Sequence, residues 1–362
     1  MTNGMGLPAR FRTVPFLGAL TLCVAPLSAQ LPRTSTGYAR ESPMLAESVD
    51  PYVSATHRSS PVERPRWSPV EEARPAKAEF TLRVGNVVVP LKVMALSILP
   101  RGVVDIRPEG GSGGILSATA GGGRLRAVGP NEWRWTAPDR PGFETVRVVS
   151  TEPVDTVHIT FMVMRPATDV RGGYLEGYAI GTYRSRPASM SAAYEAPLGF
   201  VEARPEDYDL LVSPNFRLRD FLCKAPGDPR YLLVSPRLLV KLEGLLTAVN
   251  EAGYRTPSLT IMSAFRTPAY NRAIGNVTDF SRHLWGDAAD VYIDVDGDGQ
   301  MDDLDRDGRS DLGDARWLAG VVEGMMAGGD PPMSSGGLSV YRRNAAHGPF
   351  VHIDARGHRA RW

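Results

Sequence analysis

Between residues 79 and 168 apolar and polar positions alternate. Phe80, Leu82 and Val84 are separated by Thr81 and Arg83, and Val157, Ile159, Phe161 and Val163 by His158, Thr160 and Met162. The runs 87–93, 124–128, 133–136 and 143–149 share this character. A period of two sends alternate side chains to opposite faces of a strand. Turn residues at Pro130-Asn131 and between Pro138 and Gly142 break the runs. An all-β, sandwich-like (immunoglobulin-like) domain is predicted over 79–168. Trp133 and Trp135 fall on one face and are expected in its core rather than on a sugar-binding platform.

The pattern then changes. From Pro236 to Gly253 apolar residues recur every three or four positions: Leu238, Leu239, Leu242, Leu245, Leu246 and Val249. Ser235 suits the N-cap, Pro236 the first helical turn, and Gly253 the stop. A second helix is predicted over 314–327, with Trp317, Leu318, Val321, Val322 and Met325 on one side. Residues 269–274 read as a short helix, and 259–265, 288–294, 337–341 and 350–354 as strands. The mixture predicts an α+β domain with a small antiparallel sheet over 223–362. Residues 169–222 are rich in Tyr, Gly and Pro and read as a connector packed on that domain.

The N-terminus carries a different signal. Arg10 and Arg12 precede an apolar run from Val14 to Val24, and small residues lead to Ala29. Residues 1–29 read as a secretory signal peptide. The run is too short for a membrane span, which needs about 20 apolar residues. Residues 30–78 contain seven prolines and no hydrophobic period, and read as a flexible linker. Export is therefore expected, to a periplasm, a cell wall or the medium, with no membrane span in the mature chain. Lys and Arg total 41 against 40 for Asp and Glu, which disfavours nucleic acid as a partner. Of the two cysteines, only Cys223 lies beyond the signal segment, so an internal disulfide is excluded in the mature chain.

Four of the six histidines fall in the last 80 residues. His283 and Asp290 flank a turn at Gly286, and His352 lies in a hydrophobic strand. Two imidazoles and a carboxylate suit Zn²⁺ with one coordination position left open, which acidifies a water and polarises a carbonyl. The spacing alone is equally compatible with hydrogen-bonded histidines beside strands.

Three ordered motifs extend the picture. They are Ser263 to Asn271, which contains Arg266; Ser281-x-His283-x-x-Gly286-x-Ala288-x-Asp290; and Phe350-Val-His352-Ile-Asp354 followed by Arg361-Trp362. Over residues 210–362 they resemble the M15 peptidase family of zinc D-Ala-D-Ala carboxypeptidases and murein endopeptidases. The resemblance implies that His283, Asp290 and His352 are zinc ligands. It implies that Arg266 binds a substrate carboxylate or an oxyanion, a task suited to a planar guanidinium. Many members carry a Glu three residues before the last ligand, where this chain has Pro349. Others carry a His five residues before it, which His347 matches, so His347 is the expected general base. Asp354 shares the strand face of His352 and is expected to orient a ligand or the base.

An acidic insertion follows Asp290. Residues 294–314 hold nine Asp and two Arg. Asp294, Asp296, Asp298, Gly299, Gln300, Asp302 and Asp305 follow a 12-residue calcium-loop register. Asp303, Asp305, Asp307, Gly308, Arg309, Asp311 and Asp314 follow a second, overlapping one. The last position is Asp rather than Glu in both. Calcium is therefore an expected second cofactor. The function expected is an exported zinc metallopeptidase acting on peptidoglycan. The rival is a calcium-dependent wall-binding protein with an inert peptidase-like domain, and a third option is a zinc peptidase with substrates outside the wall.

Overall fold

The structure, a computed structural model, describes residues 73–110, 114–329 and 335–362. The expected signal peptide and most of the proline-rich linker lie outside the described residues.

The N-terminal region consists of strands only: β1 (Lys77–Val84), β2 (Val87–Leu91), β3 (Val93–Ile98), β4 (Val103–Pro108), β5 (Leu116–Ala120), β6 (Arg124–Gly129), β7 (Glu132–Thr136), β8 (Gly142–Thr151) and β9 (Val154–Val163). They form two sheets, ordered β2-β1-β4-β7-β6 and β3-β9-β8-β5. Only β3 and β9 pair in parallel. The run 87–93, continuous by pattern, is broken at Lys92, and its halves join different sheets. The break is fixed by hydrogen bonds from the Lys92 N–H to Ala76 and from the His158 N–H to Lys92. β4 and β5 escape the hydrophobic pattern because each buries one residue only, Ile106 and Leu116.

Trp133 and Trp135 point inward, as the alternation predicts. Trp135 is fully buried and stacks on Phe161 of the opposite sheet, with ring centroids 4.0 Å apart. That contact ties the two sheets together across one core.

The C-terminal region mixes helices and strands. β10 (Arg165–Pro166), β13 (Gly199–Ala203) and β14 (Arg230–Leu232) make a three-stranded sheet, and β11 (Tyr174–Leu175) pairs with β12 (Tyr178–Ala179). The principal sheet is ordered β15-β16-β18-β17-β19. Its members are β15 (Thr260–Ser263), β16 (Ala288–Tyr292), β17 (Gly337–Tyr341), β18 (Phe350–Asp354) and β19 (Ala360–Arg361). It is antiparallel except where β19 joins β17. The helices are α1 (Pro236–Glu251), α2 (Pro268–Ala273) and α3 (Leu312–Gly328).

α1 buries all six residues of its predicted apolar face, each adding about 1.5–3 kcal/mol of transfer free energy. Ser235 occupies the N-cap, but its side chain makes no capping bond; its carbonyl receives the Leu238 and Leu239 N–H groups. Residues 169–222 do more than connect. Leu175, Tyr178, Ile180, Phe200, Phe216 and Phe221 belong to the same core as α1. Ala95, Met162 and Met164 from the strand-only region join that core, while Val240 of α1 packs on the sandwich core. Buried Glu243 on α1 accepts from Ser213 Oγ and from the Asn215 N–H and Nδ2.

Trp135→Ala removes the only ring that stacks across the sheets, among the described residues. It is expected to cost about 3–5 kcal/mol of stability in a denaturant titration.

Candidate metal centre

The turn between the first two candidate ligands is sterically closed. Arg282 to Trp285 form one 3-10 turn, and Gly286 ends it at φ +66°. A Cβ at Gly286 would meet the Leu233 carbonyl oxygen at 2.3 Å, so the position demands glycine. β16 then begins, and its register with β18 sets Asp290 directly opposite His352. Neighbours across an antiparallel pair share a face, so both side chains emerge together.

His283, Asp290 and His352 are buried. Three of their atoms form a compact triangle. Asp290 Oδ1 lies 2.8 Å from His352 Nδ1 and 3.3 Å from His283 Nε2, and the two nitrogens are 3.2 Å apart. A tetrahedral zinc ion with bonds near 2.0–2.1 Å needs donors about 3.3 Å apart. The donor set and its edges therefore fit such an ion. The outer atoms are braced. His283 Nδ1–H donates to the Ala264 carbonyl at 2.6 Å, which turns the Nε2 lone pair toward the triangle. His352 Nε2 faces Asp354 Oδ2 at 3.4 Å. Such outer partners orient a metal-binding imidazole.

Behind the triangle lies a buried charge network. Arg266 Nη2 donates to Asp290 Oδ2 at 2.6 Å and its Nε to Ser263 Oγ at 2.8 Å. Asp354 accepts from the Gly337 N–H and pairs with Arg356 at 2.7 Å. Lys241 of α1 is fully buried and donates to the Asp354 carbonyl at 2.9 Å. Burial pushes its pKa down to about 8. Arg282 grips Asp287 through both carboxylate oxygens, bridging Gly286, and its guanidinium lies 4.3 Å from the Tyr194 ring. Burial nonetheless holds the Asp287 carboxyl above its ordinary value.

Residues 215–308 match the family model for Peptidase M15. The C-terminal part of the chain carries an M15 peptidase domain. The match includes His283 and Asp290 and ends before β18, which supplies His352. No match to the chain is found among curated proteins.

In the M15 domain Arg266 is only 6% exposed and rests on a candidate ligand. Asp354 reaches His352 from the side away from the triangle. His347 is not in hydrogen-bond contact with the three ligand candidates. It lies between β17 and β18, donates from Nδ1 to its neighbour's carbonyl on Gly348 and packs edge-on against Phe350 at 4.8 Å. Sequence reasoning passed over Ser263, Arg282, Lys241 and Arg356. A buried lysine on an apolar helix face leaves no trace in a periodicity, and the Arg282–Asp287 pair was legible only as two charges flanking a glycine.

The acidic insertion sorts into two groups of carboxylates close enough to share a cation: Asp294, Asp296 and Asp302, and Asp303, Asp305 and Asp314. Asp305, expected to close the first loop, belongs to the second group. Asp298, Asp307 and Asp311 accept from backbone amides two residues on, at Gln300, Arg309 and Gly313. The Gln300 side chain donates to Asp298 and receives a hydrogen bond from Arg343.

The triangle has a definite protonation logic. Burial disfavours charge on His283, and Arg266 adds to the effect, so its pKa falls to about 4. Burial acts likewise on His352, but hydrogen bonds to Asp290 and Asp354 outweigh it and raise its pKa to about 9. Against the same burial, His283 and Arg266 hold Asp290 well below the usual carboxylate range. A raised imidazole pKa stabilises the fold fully below 6.5, and the contribution fades as pH climbs through about 9. The metal-free protein should therefore lose thermal stability across that window. Zinc must displace the His352 proton, so its affinity should rise with pH over the same range. Calorimetric titration near neutral pH in buffers of different ionisation enthalpy should report about one proton released per zinc.

Proposed function

We propose that the chain is an exported zinc metallopeptidase that hydrolyses amide bonds in the stem peptides of peptidoglycan. The buried triangle of His283, Asp290 and His352 beside the M15 match carries this reading. When bound there, zinc supplies Lewis acidity, which acidifies a water and polarises the scissile carbonyl.

The chain's own residues do the rest. His283 Nε2, Asp290 Oδ1 and His352 Nδ1 would hold the ion, and the Ala264 carbonyl and Asp354 fix the two imidazoles. Arg266 keeps a permanent positive charge beside Asp290, where it favours a substrate carboxylate or a developing oxyanion. His347 is the proposed proton carrier. Its Nδ1–H is committed to the Gly348 carbonyl, which leaves Nε2 as the acceptor of a proton from the attacking water and its donor to the leaving amine.

Calcium in the 294–314 insertion is part of the same reading. Asp294 Oδ1 is buried without a hydrogen-bond partner. Burial raises the Asp294 and Asp302 carboxyls, and neighbouring aspartates add to it. Both costs are relieved by a cation. Export rests on the N-terminal segment, and no described helix is long and apolar enough to cross a membrane.

The decisive experiment is mass spectrometry of purified peptidoglycan incubated with zinc-loaded protein beside His352→Ala. Wild type should release soluble products and the variant none. Loss of a single alanine marks a carboxypeptidase, and opened cross-links mark an endopeptidase. Identical profiles would reject the wall peptidase. They would favour the calcium-dependent binding protein, which Pro349 in place of a Glu keeps in view.

Adding calcium to calcium-free, zinc-loaded protein should raise the melting temperature by several degrees. Asp294→Asn combined with Asp303→Asn should abolish the rise. An unshifted wild-type melt would remove calcium from the account.

A further inference from the structure

The two outer faces of the sandwich are unlike. The four-stranded sheet turns Ala95 of β3 and Met162 of β9 to the core it shares with the M15 domain. The outer face of the five-stranded sheet is open, and Val103 on it is 56% exposed. Arginines occupy that face, and strand register fixes their places. Trp133 and Trp135 of β7 are buried, so Arg134 between them points outward. It stands opposite Arg126 of β6 on one side and Asp105 of β4 on the other. Two residues back along β6, Arg124 is opposite Thr136. Two residues on along β4, Arg107 is opposite Arg83 of β1. The five arginines form a diagonal stripe over four neighbouring strands, about 14 Å across.

Like charges directly opposite one another on a sheet are destabilising. This face accepts two such pairs, Arg83 with Arg107 and Arg126 with Arg134. One member of each pair is neutralised. Arg83 forks Glu109 through Nε and Nη2, both at 2.5 Å, and Arg134 forks Asp105 at 2.7 and 3.1 Å. Arg107, Arg124 and Arg126 are exposed and make no ion pair with any described residue. Glu132, at the start of β7, is a third carboxylate on this face and pairs with none of the five. The three unpaired arginines project from strands whose inward residues supply the core contacts, so packing makes no use of their charge.

We propose that this stripe is a docking face for a linear acidic polysaccharide that carries a carboxylate on its repeating sugar units. A guanidinium takes a carboxylate through two parallel N–H groups, as Arg83 and Arg134 do within the fold. A stripe across four strands suits a chain of charges rather than a single ion. The face also separates this partner from other polyanions. Single-stranded nucleic acid is held on rings where bases stack, and the tryptophans of β7 are turned inward. Anchoring in an anionic membrane uses large apolar side chains, and the exposed apolar residues among these arginines are valines. The docking face goes beyond the peptidase reading and needs neither zinc nor calcium. It gives the sandwich a task, holding the M15 domain on an acidic polymer.

The test immobilises the full-length protein and titrates it with polygalacturonate, a linear carboxylate polysaccharide, by biolayer interferometry. Wild type should bind, more weakly as salt rises, and should not bind the fully methyl-esterified polymer. Arg107→Gln, Arg124→Gln and Arg126→Gln together should weaken binding about tenfold or more. The same loss of charge elsewhere, Arg140→Gln, Arg147→Gln and Arg316→Gln, should weaken it less than about twofold. The melting temperature of the stripe variant should not fall, because both like-charge pairs are relieved. A fall of several degrees would make these arginines part of the fold and overturn the proposal. Binding should survive a calcium-selective chelator; its loss would move the binding to the acidic insertion and overturn the proposal too. No binding by wild type, or an equal loss in the two triple variants, has the same consequence. Tighter binding of DNA or of phosphatidylglycerol vesicles through the same three arginines would assign the face to another class of partner and reject the polysaccharide. Peptidoglycan cleavage enters none of these readouts, so failure of either reading leaves the other standing.

Discussion

The register between β16 and β18 is the constraint on which the candidate centre depends. Asp290 faces His352 across one antiparallel pair, and their outward face is shared with Ser339 and Tyr341 of β17. The opposite face of the same strands carries Ala289, Val291, Val351 and Ile353, all buried in the core. A slip of one residue would send the ligands into the core and the core residues outward. Hydrophobic burial on one face thereby enforces the geometry of the candidate centre on the other.

Crowding charged groups on a buried face requires compensation, and α1 supplies part of it. Lys241 reaches through the core to the end of β18, and Glu243 two residues later ties the helix to residues 213–215. Because α1 also packs on the sandwich, the strand-only region braces the same helix that braces the sheet. Each aspartate near the triangle has its own arginine: Asp290 with Arg266, Asp354 with Arg356, and Asp287 with Arg282. Breaking a buried pair of this kind leaves an unpaired charge and is worth about 3–5 kcal/mol. The network is thus a stronger determinant of ligand placement than any single bond in it.

The segment 183–195 extends the domain beyond the region that matches the family model. Tyr194 and Trp285 meet edge to face at 5.3 Å, and the Trp285 Nε1–H donates to the Glu195 carbonyl. Tyr183 Oη donates to the Leu284 carbonyl. These contacts fall on the turn that presents His283, so residues read as a connector hold the first candidate ligand in place.

Local pattern by itself determined the division into a strand-only and a mixed region, the apolar face of α1, the inward tryptophans of β7 and the residue types that suit a metal, but it missed β4 and β5 and read β2 and β3 as one run. Those features follow from periodicity and from the chemistry of side chains close in sequence. Tertiary structure alone decided which charges are buried, that Arg266 rests on Asp290, that His347 packs on Phe350, and that Asp305 serves the second acidic group rather than the first. It also decided that Trp362, eight residues beyond β18, returns to the candidate ligand His352. Those contacts join residues far apart in sequence, and their positions follow from how strands pair and cores fill. One-dimensional periodicity records which face a side chain takes, and it carries no record of what faces it.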